Sequence, residues 1–329
     1  MKTKASFSSP LFVLILYGLL FASGFAKDRL IGAGGNVYLS VIILQILIFI
    51  LPAIIFCRMK GVGYAVKLNI RFFSPGKLGC IVMSALVLIC GSILIRFVQI
   101  YLFNMRNFHF SLFDTYLDTG VSQEFLFTAT AFAVVPALTE EFVFRTILLT
   151  EYNEEGFGAV TATLITALLS AMMCFDWETL PIRLMAAVMF SIITYVTGSS
   201  IAAFLSHIIF NLYGIFGEKY ILKAITDPSN QIISIFTFTL LFLVLAVILF
   251  GELEHILRRA GKTGVPTPSY RLKKLKDGKT PDVAATEAAE DGSSSSLSES
   301  TRLSIEAWFS PTFLLCVLAF IITIFGFPR

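Results

Sequence analysis

Two carboxylates and a guanidinium interrupt an otherwise apolar stretch of the chain. Glu140, Glu141 and Arg145 lie inside the run from Phe125 to Leu149, which reads as a membrane-spanning helix. Each charge near a bilayer centre costs roughly 2.5–3.5 kcal/mol, so three unpaired ones would oppose insertion by about 7–10 kcal/mol. Pairing must offset that cost, and an intramembrane charge cluster is a functional-site hypothesis by default. Residues four apart share a helix face, so Glu141 can pair with Arg145 while Glu140 points about 100° away from Glu141. One carboxylate is left over. Downstream, His207 and Asn211 are again four apart in a hydrophobic run, which puts an imidazole and an amide on one face. A buried carboxylate can take a proton from water, and imidazole with carboxamide can hold the oxyanion formed when that water attacks an amide. These are the minimum parts for peptide hydrolysis. The same residues also fit a plainer role, an ion pair and a His–Asn hydrogen bond that only fix helix packing.

The elements that must position these groups follow from composition. With 56% hydrophobic residues, 14% charged and 33 Phe, and a mean hydropathy of +0.82, the chain is too apolar for a soluble domain. The expected fold is an all-α polytopic bundle of eight or nine spans. The candidate runs are 10–26, 37–57, 78–103, 125–149, 159–175, 180–196, 199–216, 232–253 and 307–327. They divide the chain into N-terminal spans (1–124), a core carrying the polar pairs (125–217), a further span (218–260), a linker (261–305) and a last span (306–329). The linker is rich in Lys, then Ala and Glu, then Ser, and lacks the apolar surface to fold. It reads as a disordered cytoplasmic segment whose Lys-rich start lies near anionic headgroups.

The first run follows Lys2 and Lys4 without a convincing cleavage site, so it is expected to be retained. Lys and Arg cluster before the first span, between the second and third, and after the eighth. This predicts an integral membrane protein with a cytoplasmic N-terminus. The formal charge of +3 then reflects topology, and no nucleic-acid partner is expected. The 5 cysteines fall in or beside apolar runs without ligand-like spacing, so they predict neither a disulfide framework nor a metal site. Trp177 and Trp308 fall near span ends, where interfacial belts place them. The segment 104–123 is expected to be a loop, partly an amphipathic surface helix.

The spacing of the polar residues resembles the CAAX protease and bacteriocin-processing (CPBP, Abi-type) family, which includes the Ras-converting prenyl-protein endopeptidases. Its EExxxR motif is matched by Glu140-Glu141-Phe142-Val143-Phe144-Arg145 and its HxxxN motif by His207-Ile208-Ile209-Phe210-Asn211. Thr197-Gly198-Ser199-Ser200-Ile201-Ala202-Ala203 is similar to the family's TGSxxAA lead-in. The resemblance covers about residues 125–217. It implies Glu140 as the base that activates water, Glu141 as an assisting or orienting group and Arg145 as a structural partner of the carboxylates. His207 and Asn211 would polarise water or stabilise the tetrahedral intermediate. It further implies a membrane-associated or lipidated peptide or protein substrate and a bacterial cell membrane. No cofactor is expected; a divalent metal is the less favoured alternative, since carboxylate and imidazole are ordinary zinc ligands.

The chain departs from the family at the middle FxxxH motif. The corresponding region, Leu168 to Glu178, holds no histidine, and depending on alignment Asp176 or Glu178 takes its place. Thr146 also stands where many members have Gly. If a carboxylate can substitute, the chain is an endopeptidase, the favoured reading. If not, it is an inactive member serving as a membrane scaffold or binding protein. A transporter with an intramembrane ion relay is a third class, but the inverted repeats common in such folds are not evident.

Overall fold

The computed structural model describes residues 4–32, 36–61, 70, 72–103, 125–227, 229–262 and 302–326. The expected loop 104–123 and nearly all of the expected linker 261–305 lie outside them. The described elements are helical, with no strand among them. We number them α1 (Ala5–Gly32), α2 (Val37–Lys60), α3 (Leu78–Phe103), α4 (125–154), α5 (Ala159–Cys174), α6 (Leu180–Thr197), α7 (Ser200–Thr226), α8 (Gln231–Lys262) and α9 (Pro311–Gly326). Among the described residues seven helices are long and apolar enough to cross a membrane: α1, α2, α3, α6, α7, α8 and the segment Arg302–Gly326 that ends in α9. Of the nine expected runs, the other two are α4, which carries the charge cluster, and α5, which is shorter. The protein is an all-α polytopic membrane protein.

Prolines shape the helix that carries the carboxylates. Pro136 has no N–H to continue an α-helical ladder, and the turn before it, Thr130–Val134, widens into a π-helix. Pro52 follows a π-turn at Ile46–Ile50 of α2 in the same way. Buried Thr139 of α4 donates a hydrogen bond to Gln45 of α2 at 3.4 Å. A further π-segment, Phe142–Leu148, carries Arg145, so the straight α-helix expected through EExxxR is corrected to alternating α and π turns. Thr146 answers the widening by donating its hydroxyl to the Glu141 carbonyl five residues back, at 3.4 Å.

Packing divides between two groups of helices, each with its own apolar clusters. One joins α1, α2, α4, α5 and α9 through Leu16, Phe49, Phe144, Ile165 and Phe313. The others join α3, α6, α7 and α8 through Ile81, Leu88, Phe190, Ala202 and Leu249. Helices α4 and α7 meet between these groups. On α3, Gly91 lets α6 and α8 come close: a Cβ there would lie 2.8 Å from Met185 Sδ and 3.2 Å from Phe242. The 302–308 segment and α9 return to the N-terminus, where Glu306 pairs with Lys4 at 2.7 Å and Thr312 donates to the Ser6 carbonyl at 3.3 Å.

Candidate functional site

Each polar pair is placed by its own helix. The Thr197-Gly198-Ser199-Ser200 stretch is the turn between α6 and α7: Gly198 ends α6 with φ +68°, a left-handed conformation that a Cβ disfavours. Ser199 is extended and α7 begins at Ser200. Buried Ser84 of α3 and Ser206 of α7 share a hydroxyl hydrogen bond at 2.9 Å, which fixes α7 one residue before His207.

The structure brings Glu140, Glu141, Arg145 and His207 around one small cavity. Arg145 Nη1 donates to Glu141 Oε1 at 3.2 Å and its Nε lies 3.1 Å from Oε2, so the expected i,i+4 pair forms. The guanidinium also donates to the Ala187 carbonyl of α6 at 2.8 Å and to Ser170 Oγ of α5 at 3.4 Å. Its face lies against the Phe190 ring, 5.5 Å from the centroid. His207 Nδ1 sits 2.8 Å from Glu141 Oε1. An ionised carboxylate only accepts, so Nδ1 carries the proton and Nε2 is the nitrogen left unengaged by Glu141. Phe190 stacks on the imidazole at 4.6 Å. Glu141 is thus held from two sides by a cation and an imidazole.

Glu140 stands apart, as the 100° rotation requires. Its side chain is 20% exposed against 2% for Glu141, so of the two it is the carboxylate open to an incoming group. Its Oε2 lies 3.9 Å from Arg183 Nη1 of α6. The cavity they share is about 20 Å³, room for one water.

The other predicted residues are placed differently. Asn211 is buried and donates its amide to the Ala133 carbonyl at 3.3 Å, in the π-turn of α4, and does not line the cavity. Asp176 accepts backbone N–H bonds from Glu178 at 2.9 Å and Thr179 at 3.2 Å, which shapes the turn into α6. Neither Asp176 nor Glu178 lines the cavity. The middle span contributes Ser170 instead. Arg183 and Ser170 were missed by sequence reasoning: a lone arginine in the first turn of an apolar run reads as a topology charge, and a serine as filler. The signal for Arg183 was its position inside a span, where any ionisable group is costly.

Among the described residues no three His, Cys, Asp or Glu side chains converge to hold a metal ion. Glu141 and His207 already face each other, and two guanidiniums border the cavity. This set does not fit a zinc site, which needs three protein ligands and an open position.

A membrane-embedded helical bundle that holds a carboxylate, a carboxylate-oriented imidazole and a water-sized space has the parts of an intramembrane hydrolase. Residues 122–213 match a family model, Rce1-like, described as type II CAAX prenyl endopeptidase Rce1-like. The matched segment contains both polar pairs and the turn between α6 and α7, and it bears out the resemblance read from the motifs. At family level it supports an intramembrane endopeptidase. No curated protein and no solved structure matches the chain.

Proposed function

We propose that the protein is an intramembrane endopeptidase in which Glu140 activates the attacking water on a membrane-associated, lipidated peptide. The observation that carries this reading is the division between the two carboxylates: Glu141 is spent on Arg145 and His207, while Glu140 faces the cavity with its side chain partly open. Glu140 accepts a proton as the water oxygen bonds to the scissile carbonyl carbon. It then returns that proton to the leaving nitrogen as the C–N bond breaks, so the carboxylate is regenerated. His207, its Nδ1–H held by Glu141, turns Nε2 towards the water and accepts its second O–H, which orients the oxygen for attack. Arg145 keeps Glu141 in place, and Asn211 ties α7 to α4. No step passes through a metal. The lipidated substrate class is drawn from the family description.

A second reading, a scaffold without hydrolytic activity, draws on the middle span, where Asp176 serves a turn and no histidine is present. One experiment separates the two. Purified protein in proteoliposomes is offered a fluorogenic peptide with a prenylated cysteine near its C-terminus, and Glu140→Gln should lower cleavage by about 10²–10⁴-fold with an unchanged thermal unfolding profile. Cleavage by the variant at the original rate would remove Glu140 as the base. Absence of cleavage by the unmodified protein would favour the scaffold.

A further inference from the structure

One charge in this hydrolysis still needs a donor. As the water oxygen bonds to the scissile carbon, the C=O π pair moves onto the carbonyl oxygen, and a donor placed in advance for that oxyanion is usually the largest single term in acyl-transfer catalysis. The expected holders do not supply it. Asn211 gives its amide to the Ala133 carbonyl and does not line the cavity. His207 spends its Nδ1–H on Glu141 and turns Nε2 to the water as an acceptor. Arg145 is 2% exposed, and its guanidinium is divided among Glu141, the Ala187 carbonyl and Ser170. Of the other polar side chains that line the cavity, Ser170 accepts from Arg145 and the two carboxylates only accept. That leaves Arg183.

Arg183 is held where such a donor has to stand. Asp176 shapes the turn that opens α6, and the Arg183 N–H bonds to the Thr179 carbonyl at 3.0 Å, so the side chain leaves from the first turn of that helix. Arg183, Ala186, Ala187 and Phe190 follow the i, i+3, i+4, i+7 pattern of one helix face, and all four line the cavity. Arg183 Nη1 lies 3.9 Å from Glu140 Oε2, too long for a hydrogen bond and near enough that a carbonyl attacked by water on Glu140 holds its oxygen beside the guanidinium. A guanidinium has five N–H donors, so attraction to one carboxylate does not exhaust them. With its side chain 24% exposed, it is open to an incoming peptide. We infer that Arg183 is a catalytic residue that binds the oxyanion of the tetrahedral intermediate. When the intermediate collapses, the pair on that oxygen re-forms the C=O bond, the C–N bond breaks and the proton held by Glu140 goes to the nitrogen. Arg183 keeps its own protons throughout. A terminal carboxylate of the substrate is the other anion a guanidinium could take, but a cation this near the base faces the reacting carbonyl and not the end of the peptide. The assignment rests on the peptidase reading of Glu140.

The test compares Arg183→Gln and Arg183→Lys with the unmodified full chain in proteoliposomes, on the fluorogenic prenylated peptide, with thermal unfolding as the check on folding. Arg183→Gln should lower kcat by about 10²–10³-fold with KM little changed, the loss expected of one oxyanion donor. Arg183→Lys keeps the cation without the planar fork and should lose roughly tenfold in kcat. It decides the matter if Arg183→Gln fails to fold. A peptidyl phosphonamidate, whose tetrahedral P–O⁻ stands for the oxyanion, should lose inhibitory affinity in step with the loss in kcat/KM. The deficit should persist at every pH at which the unmodified protein is active. Parental kcat in a folded variant, a rise in KM alone, or a deficit that closes as pH rises would overturn the assignment while leaving Glu140 as the base; the last is the mark of a guanidinium needed only to keep Glu140 ionised. Failure of the unmodified protein to cleave the peptide would remove this role together with the peptidase reading.

Discussion

Arg145 carries more of the site than its distance from any substrate suggests. One guanidinium reaches Glu141, the Ala187 carbonyl and Ser170, so it joins α4, α6 and α5 in the buried interior. Arg145→Ala should destabilise by about 3–5 kcal/mol, because it strands a buried carboxylate. Arg145→Lys should recover only part of that, since an ammonium cannot reproduce the planar fork. Thermal unfolding in detergent would check both, and an unchanged midpoint for the alanine variant would deny the pair its structural role. The Glu141–Arg145 pair and the separate direction of Glu140 were legible in the sequence because helix geometry is local. The contact of His207 with Glu141 was not, since spacing places His207 and Asn211 on one face without saying which of them meets the carboxylates. Asp176 misled for a related reason: Asp bonding to backbone two and three residues ahead is a turn signal, and the motif comparison outweighed it.

At the scale of elements, the turn at Gly198 and the π-segments of α4 set where the side chains arrive. Gly198→Ala should cost roughly 1–2 kcal/mol through its left-handed backbone, and Gly198→Asn less. Denaturation midpoints of the three proteins should rank Gly, Asn, Ala, and an alanine variant as stable as the parent would sink the argument. Nine apolar runs were visible in the sequence, and the structure has a helix at each. Their interruptions were not, because a search for a 3.6-residue period cannot register a turn that takes one residue more. Within α4, Pro136 hinted at one such turn and nothing marked the other, at Phe142–Leu148. Only after both turns are known is it clear how Asn211 finds the Ala133 carbonyl.

The whole molecule is held at a second polar centre, further along the same helix as Glu140. Glu151, near the end of α4, accepts hydrogen bonds from Ser8 and Ser9 of α1, each at 2.8 Å, and pairs with Lys60 at the end of α2. Lys60→Met should cost about 1–3 kcal/mol by leaving Glu151 with hydroxyls alone. That loss should appear as a lower unfolding midpoint; a midpoint that does not move would show the staple to be dispensable. At the site itself the formal charges balance: the carboxylates of Glu140 and Glu141 stand beside the guanidiniums of Arg145 and Arg183, with a neutral imidazole between helices. A membrane potential does work on charge moved through it, roughly 2.3 kcal/mol per elementary charge per 100 mV. A cluster that sums to zero feels no net pull, so an energised membrane does no net work on this centre when it moves as a unit.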